Sequence, residues 1–180
     1  MKRVFCFILA ICLLLLICGC REEEPEYVHP VQFYYVNPII LSDSIGYGDT
    51  YSVFISETRE AAGFLGDIEA FLLEYLKGPI TTDLFLMIPS DVQLLDVKQN
   101  SKVIRITFSE ELAKLMGIDL TLACSCLSMT VFENFKFDTI EIAADGILLE
   151  GKESVIIHRD KLLLIDSLPE MNEAENTEEQ

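Results

Sequence analysis

Four of the six cysteines fall within the first 20 residues, in and just after an unbroken apolar run. Lys2 and Arg3 open the chain, and Val4 to Cys18, 15 residues by direct count, carry no charge. A helix that crosses a bilayer needs about 20 apolar residues. Fifteen after a basic start fit the apolar region of a signal peptide. The alternative is an uncleaved anchor helix, and either reading sends the remainder of the chain out of the cytoplasm. Cys6, Cys12 and Cys18 leave with such a leader, so beyond Cys20 only Cys124 and Cys126 belong to the folded part. A disulfide framework is thereby excluded as the main source of stability. The fold must rest on an apolar core.

The end of the run, Leu16-Ile17-Cys18-Gly19-Cys20, resembles the lipobox of bacterial lipoproteins. That pattern has a branched apolar residue, two small residues and an obligatory cysteine. Cys18 stands where Ala or Ser is more usual, and it is still small. The resemblance implies that the Cys20 thiol takes a diacylglycerol and that cleavage leaves residues 1–19 behind as the signal peptide. From residue 20 onward the chain keeps 11 basic and 30 acidic residues, because Lys2 and Arg3 are the only charges lost: a net −19. Nucleic acid is rejected as a partner, since its recognition needs clustered positive charge to displace counterions. Anionic headgroups are disfavoured for the same reason. The expected membrane contact is the lipid itself, and two acyl chains anchor where one binds only marginally.

Residues 20–30 form a charged tether (REEEPE is its core), and residues 169–180, with five glutamates and no aromatic residue, form an acidic tail. Neither has apolar area to bury. Residues 31–168 are left for a single domain. Gln32–Asn37 and Tyr51–Ser56 are aromatic and β-branched and predict strands. Gly66–Lys77 predicts a helix whose stripe is Ile68, Phe71, Leu72, Tyr75 and Leu76, stopped by Gly78-Pro79. Val92–Val97 and Lys102–Phe108 predict two strands around Gln99-Asn100-Ser101. Ser109 is placed to cap a short helix from Glu110. A long helix from Asp119 to Phe135 follows, with Leu120, Ala123, Cys124, Leu127, Val131 and Phe135 as its stripe. Thr139–Ala144, a turn at Asp145-Gly146, a return over Ile147–Leu149, and a last pair, Val155–His158 with Leu162–Ile165, complete the strands. The order β-β-α-β-β-α-β-β predicts an α+β domain: a mixed or antiparallel sheet with two main helices packed on one face.

Several short stretches occur in a set order: Glu57-x-Arg59, Glu74-Tyr-Leu-Lys-Gly-Pro79, Ile88-Pro89 with Leu94-Leu95-x-Val97, Ile106-Thr-Phe-Ser109 and Ile140-x-Ile142-Ala-Ala-Asp-Gly146. Together they resemble the GerMN domain, a family named for spore germination and sporulation proteins, over Gln32 to Leu149. Thr107 stands where the family usually has an acid, and Val131-Phe132-Glu133-Asn134-Phe135 replaces a more polar helix end. The resemblance implies a non-catalytic domain that supports extracytoplasmic assemblies, which in spore formers include the complex between mother cell and forespore. A cell-wall hydrolase or its accessory, and a modulator of a sensor kinase, are the rival readings.

Residues suited to chemistry are sparse. His29 and His158, the two histidines, stand in no metal-ligand or nucleophile spacing, and a surface or structural role is the simpler reading. Cys124 and Cys126 lie two apart on a helix, about 200° around its axis, so they cannot clamp one ion together. Cys124 belongs to the apolar stripe. Carboxylates are so abundant that a glycosidase-like pair arises by chance. Gly46-Tyr47-Gly48-Asp49 is a loop. The expectation is therefore Cys20 as the lipidation site, with no catalytic residue, metal or cofactor. The isolated domain is expected to be monomeric, because like charges repel at close range, and to associate with a different, less acidic envelope protein.

Overall fold

The computed structural model describes residues 30–41, 52–60 and 66–162. The signal peptide, Cys20, His29, the 46–49 loop and the acidic tail lie outside the described residues, as does the tether up to residue 29. The elements are β1 (Pro30–Val36), β2 (Phe54–Glu60), α1 (Ile68–Leu76), β3 (Leu94–Gln99), β4 (Val103–Phe108), α2 (Ile118–Asn134), β5 (Thr139–Ala144) and β6 (Val155–His158), with 3-10 turns at Pro38–Leu41, Glu110–Lys114 and Arg159–Lys161. The α+β class and the element order match the expectation.

The strands divide into two sheets where one was expected. β1 and β2 pair antiparallel, and β3-β4-β5-β6 form a four-stranded sheet in that order. Within it β4 and β5 run parallel, with Ile104 opposite Ile140 and Ile106 opposite Ile142. Parallel neighbours need a long crossover, and α2 supplies it. Ile104, Ile106, Phe108, Ile140 and Ile142 turn to the core and are fully buried, while Arg105 and Glu141 sit side by side on the open face. Leu95 is an extra residue between the Leu94–Phe108 and Asp96–Thr107 pairs, a bulge that leaves it half exposed.

α1 starts where Asp67 accepts hydrogen bonds from the backbone N–H groups of Glu69 and Ala70. It ends at Gly78, whose φ of +86° suits a residue without Cβ. Phe71 and Tyr75 of its stripe stack on β1: the Phe33–Phe71 and Tyr35–Tyr75 ring centres lie 5.0 and 5.3 Å apart.

α2 departs from a one-sided stripe. Leu122, Cys126, Ser128, Met129, Thr130 and Phe132 are buried as well as Leu120, Ala123, Cys124, Leu127 and Val131, whereas Phe135 caps the end half-buried. The helix is covered on several sides because β1 lies along it. Thr130 Oγ accepts from the N–H of Tyr34 at 2.9 Å, and Asn134 Oδ1 from that of Gln32 at 3.1 Å. Asn134 Nδ2 donates back to the Gln32 carbonyl at 2.7 Å. Four helical residues rise about 6 Å and two strand residues about 7 Å, so side chains at i and i+4 meet alternate strand amides. The helix thus occupies the edge of β1 that β2 leaves free.

The expected return strand over Ile147–Leu149 is absent among the described residues. Two tight turns replace it, closed by Ala144–Ile147 and Leu149–Lys152 bridges. The second has positive φ at both Glu150 (48°) and Gly151 (81°), the geometry of a two-residue hairpin turn. After β6 a 3-10 turn occupies Arg159–Lys161, so Leu162 does not continue a hairpin. The rest of that expected strand lies outside the described residues. Ser109 stands at the N-terminus of the Glu110–Lys114 turn, but its hydroxyl makes no capping bond there. It accepts instead from the N–H of Gln93 at 3.0 Å and ties the approach to β3 to the end of β4.

Candidate functional site

Arg59 and Glu57 alternate along β2 onto the face that covers Phe33 and Tyr35. Arg59 is buried, with 8% of its surface exposed, and its guanidinium stands 4.9 Å from the Phe33 ring centre. It bonds to Glu57 at 2.6 Å, to the Tyr35 hydroxyl at 3.1 Å and to the Gly78 carbonyl at 2.6 Å, and approaches Glu74 at 3.5 Å. Glu57 in turn accepts from the N–H groups of Ile80 (3.0 Å) and Thr81 (2.7 Å). The Glu57-x-Arg59 and Glu74–Pro79 motifs are thus one object, a charged clasp joining β2 to the helix stop. Burial pushes the Glu57 carboxyl up, but the hydrogen bonds from Thr81, Arg59 and Ile80 overcome it and bring the pKa to about 2. Burial raises the Tyr35 hydroxyl well above its ordinary range, against the opposing charge of Arg59. Every polar atom here has a partner within the fold, which makes the clasp a structural centre.

A second arginine belongs to no motif of the sequence. Arg159 donates to the carbonyls of Phe132 (2.6 Å), Phe135 (2.6 Å) and Phe137 (2.8 Å) and covers the Phe132 ring at 4.8 Å. It neutralises the carbonyl end of α2, where cations are favoured. Its only sequence signal is a basic residue after a short strand, and that pattern specifies no target.

An apolar groove of about 460 Å³ lies between α2 and β6. Leu120, Cys124 and Met129 line one wall, Val155 and Ile157 the other, and Glu150, Lys152 and Lys161 stand at its rim. Cys124 and Cys126 are both buried and free. Burial pushes each thiol up to about 12, so the thiolate that redox or metal chemistry needs is suppressed. On the open face of the larger sheet a shallow hollow lies over Asp96, Lys98, Arg105, Thr107 and Asp145. Asp96 is solvated there and pairs with Lys98 at 2.8 Å. His158 ends β6 with Nδ1 3.0 Å from the Thr139 hydroxyl. Among the described residues no three His, Cys, Asp or Glu side chains gather as a metal-holding group. No described helix is long and apolar enough to cross a membrane.

No family model and no curated protein matches the chain. Solved structures do. The first GerMN domain of the sporulation protein GerM from Bacillus subtilis aligns with a TM-score of 0.54 and 16% identity, over 73% of this chain and 98% of that one. The tandem GerMN domains of the same protein align with a TM-score of 0.52 and 16% identity, over 78% of this chain. The present chain spans about half the tandem structure, 49% of its length. At this identity the likeness concerns the fold, and the fold of this chain is that of a GerMN domain.

Proposed function

We propose that the chain is an extracytoplasmic GerMN-type binding module, held at the outer face of the cell membrane by lipid on Cys20 and working in a sporulation, germination or other cell-envelope assembly. The observation that carries this reading is the GerMN fold standing behind an Ile17-Cys18-Gly19-Cys20 sequence. The charged groups of the fold point the same way. The deeply buried guanidinium of Arg59 is saturated by structural partners, and the buried thiols of Cys124 and Cys126 are held protonated. The polar surface is left for recognition.

Replacing Cys20 with Ala is expected to move the protein from the detergent phase to the aqueous phase and to remove the acyl mass from the N-terminus. Native protein that retains Met1 to Gly19 and carries no acyl mass would overturn the anchor. Release of fragments from peptidoglycan by the purified protein would overturn the binding role.

A further inference from the structure

The last described residue, Leu162, lines the apolar groove between α2 and β6. It also lines a smaller cavity of about 130 Å³ that continues along α2 past Met129 to Phe132. The chain therefore leaves the described fold from the place where these two hollows meet. Leu163-Leu164-Ile165 and then Asp166 follow in the sequence, outside the described residues. Leu162 to Ile165 is a run of four large apolar residues without alternation. An alternating segment needs one apolar surface, and an unbroken one needs apolar surroundings on both sides. The groove offers both, with Leu120 and Met129 on the α2 wall and Val155 and Ile157 on the β6 wall.

We propose that Leu163 to Ile165 seat in this groove as a strap laid back along β6, with Asp166 beside Lys152. Size and charge set the direction. The cavity toward Phe132 is the smaller and is lined by Glu133, and the Arg159 guanidinium beside it is taken by three carbonyls. The larger groove has Lys152 and Lys161 at its rim, and Glu150 next to them accepts from the Gly117 N–H at 2.6 Å. Two ammonium groups are left to meet an acid. Length agrees. From Leu120 to Met129 the helix rises about 13 Å, and the four extended steps from Leu162 to Asp166 cover about 13 Å. The sequence thus delivers apolar side chains to the slot and a carboxylate to its basic end. A segment tethered at the edge of its own groove meets it at an effective concentration on the order of millimolar, which favours it over a separate partner. The strap does not depend on the envelope reading.

The test uses the full chain with Ser125→Cys, which puts a thiol in the groove. Cys126, buried and not part of the groove's lining, is the control. Maleimide labelling at each position is read by peptide mass mapping. The thiol at position 125 should label slowly in the full chain and after deletion of residues 170–180. It should label about tenfold faster or more once residues 163–180 are deleted, with Cys126 slow throughout. Equal labelling at position 125 in all three chains would overturn the strap. Fast labelling of Cys126 as well means that the deletion unfolds the domain, and a second measurement then decides. In the full chain with Lys152→Cys and Asp166→Cys, mild oxidation should join the two positions within one chain. The pair Lys98→Cys and Asp166→Cys, the former on the open face of the larger sheet, should stay unjoined. Joining of both pairs alike, of neither, or only between chains would overturn the strap.

Discussion

Arg59 and Glu57 show what a buried charge requires. Burying either alone would leave an uncompensated ion, and removing one partner of such a pair typically costs about 3–5 kcal/mol. Arg59→Met is expected to lose stability of that order on denaturant unfolding, because it strands Glu57 and frees the Gly78 carbonyl. Part of the loss should return in Glu57→Gln/Arg59→Met. The pH dependence follows from Glu57. Its folded pKa, about 2, lies below the ordinary 4.5, so its contribution is fully present above pH 4.5 and is lost as pH falls through about 2. The ceiling is about 3 kcal/mol, from about 1.4 kcal/mol per unit. Unfolding curves at pH 6 and at pH 2.5 should converge between wild type and Glu57→Gln as the acid range is entered. The residues of this clasp were legible only as motifs of the GerMN resemblance, since the strand expected over Tyr51–Ser56 ends before them and the observed β2 runs on to Glu60. Their destination was not, because it depends on the carbonyl of Gly78, 19 residues away.

At the scale of elements, α1 was readable because it buries one stripe and ends at a glycine. α2 was only partly so. A hydrophobic stripe reports one buried side, and a helix covered on several sides fills the remaining positions with small polar residues such as Ser128 and Thr130. Thr130 and Asn134 lie off the predicted stripe, yet they satisfy the free edge of β1. Asn134→Leu is expected to cost about 1–3 kcal/mol, since it leaves the N–H and carbonyl of Gln32 without their partner. Protection of the Gln32 amide in hydrogen exchange should fall with it. An exposed pair such as Lys114–Asp91 (3.0 Å) should contribute far less, because water screens it. The return strand over Ile147–Leu149 misled because its apolar residues match a strand as well as they match an exposed tip. Only the positive φ of Glu150 and Gly151 separates the two outcomes, and alternation carries no sign of it.

For the molecule as a whole, the sequence identified the α+β class, the order of the elements and the GerMN resemblance. It did not show that the strands divide between two sheets, because pairing of β1 with β2 alone is decided by α2 occupying the next edge. The tail belongs to this scale too. Deleting Glu170 to Gln180 is expected to leave unfolding free energy within about 0.5 kcal/mol of wild type, and a loss of several would show that the tail docks on the domain. One feature of the assembled fold has a mechanical meaning. β1 begins at Pro30, where a lipid-linked tether would pull, and runs beside α2 from the C-terminal end of that helix. Tension applied at Pro30 in line with the strand would therefore act along the strand axis. All seven register pairs of β1 with β2 would be loaded together in shear, instead of being peeled apart one at a time. A module built this way resists traction along its own length and gives way most easily to a sideways pull.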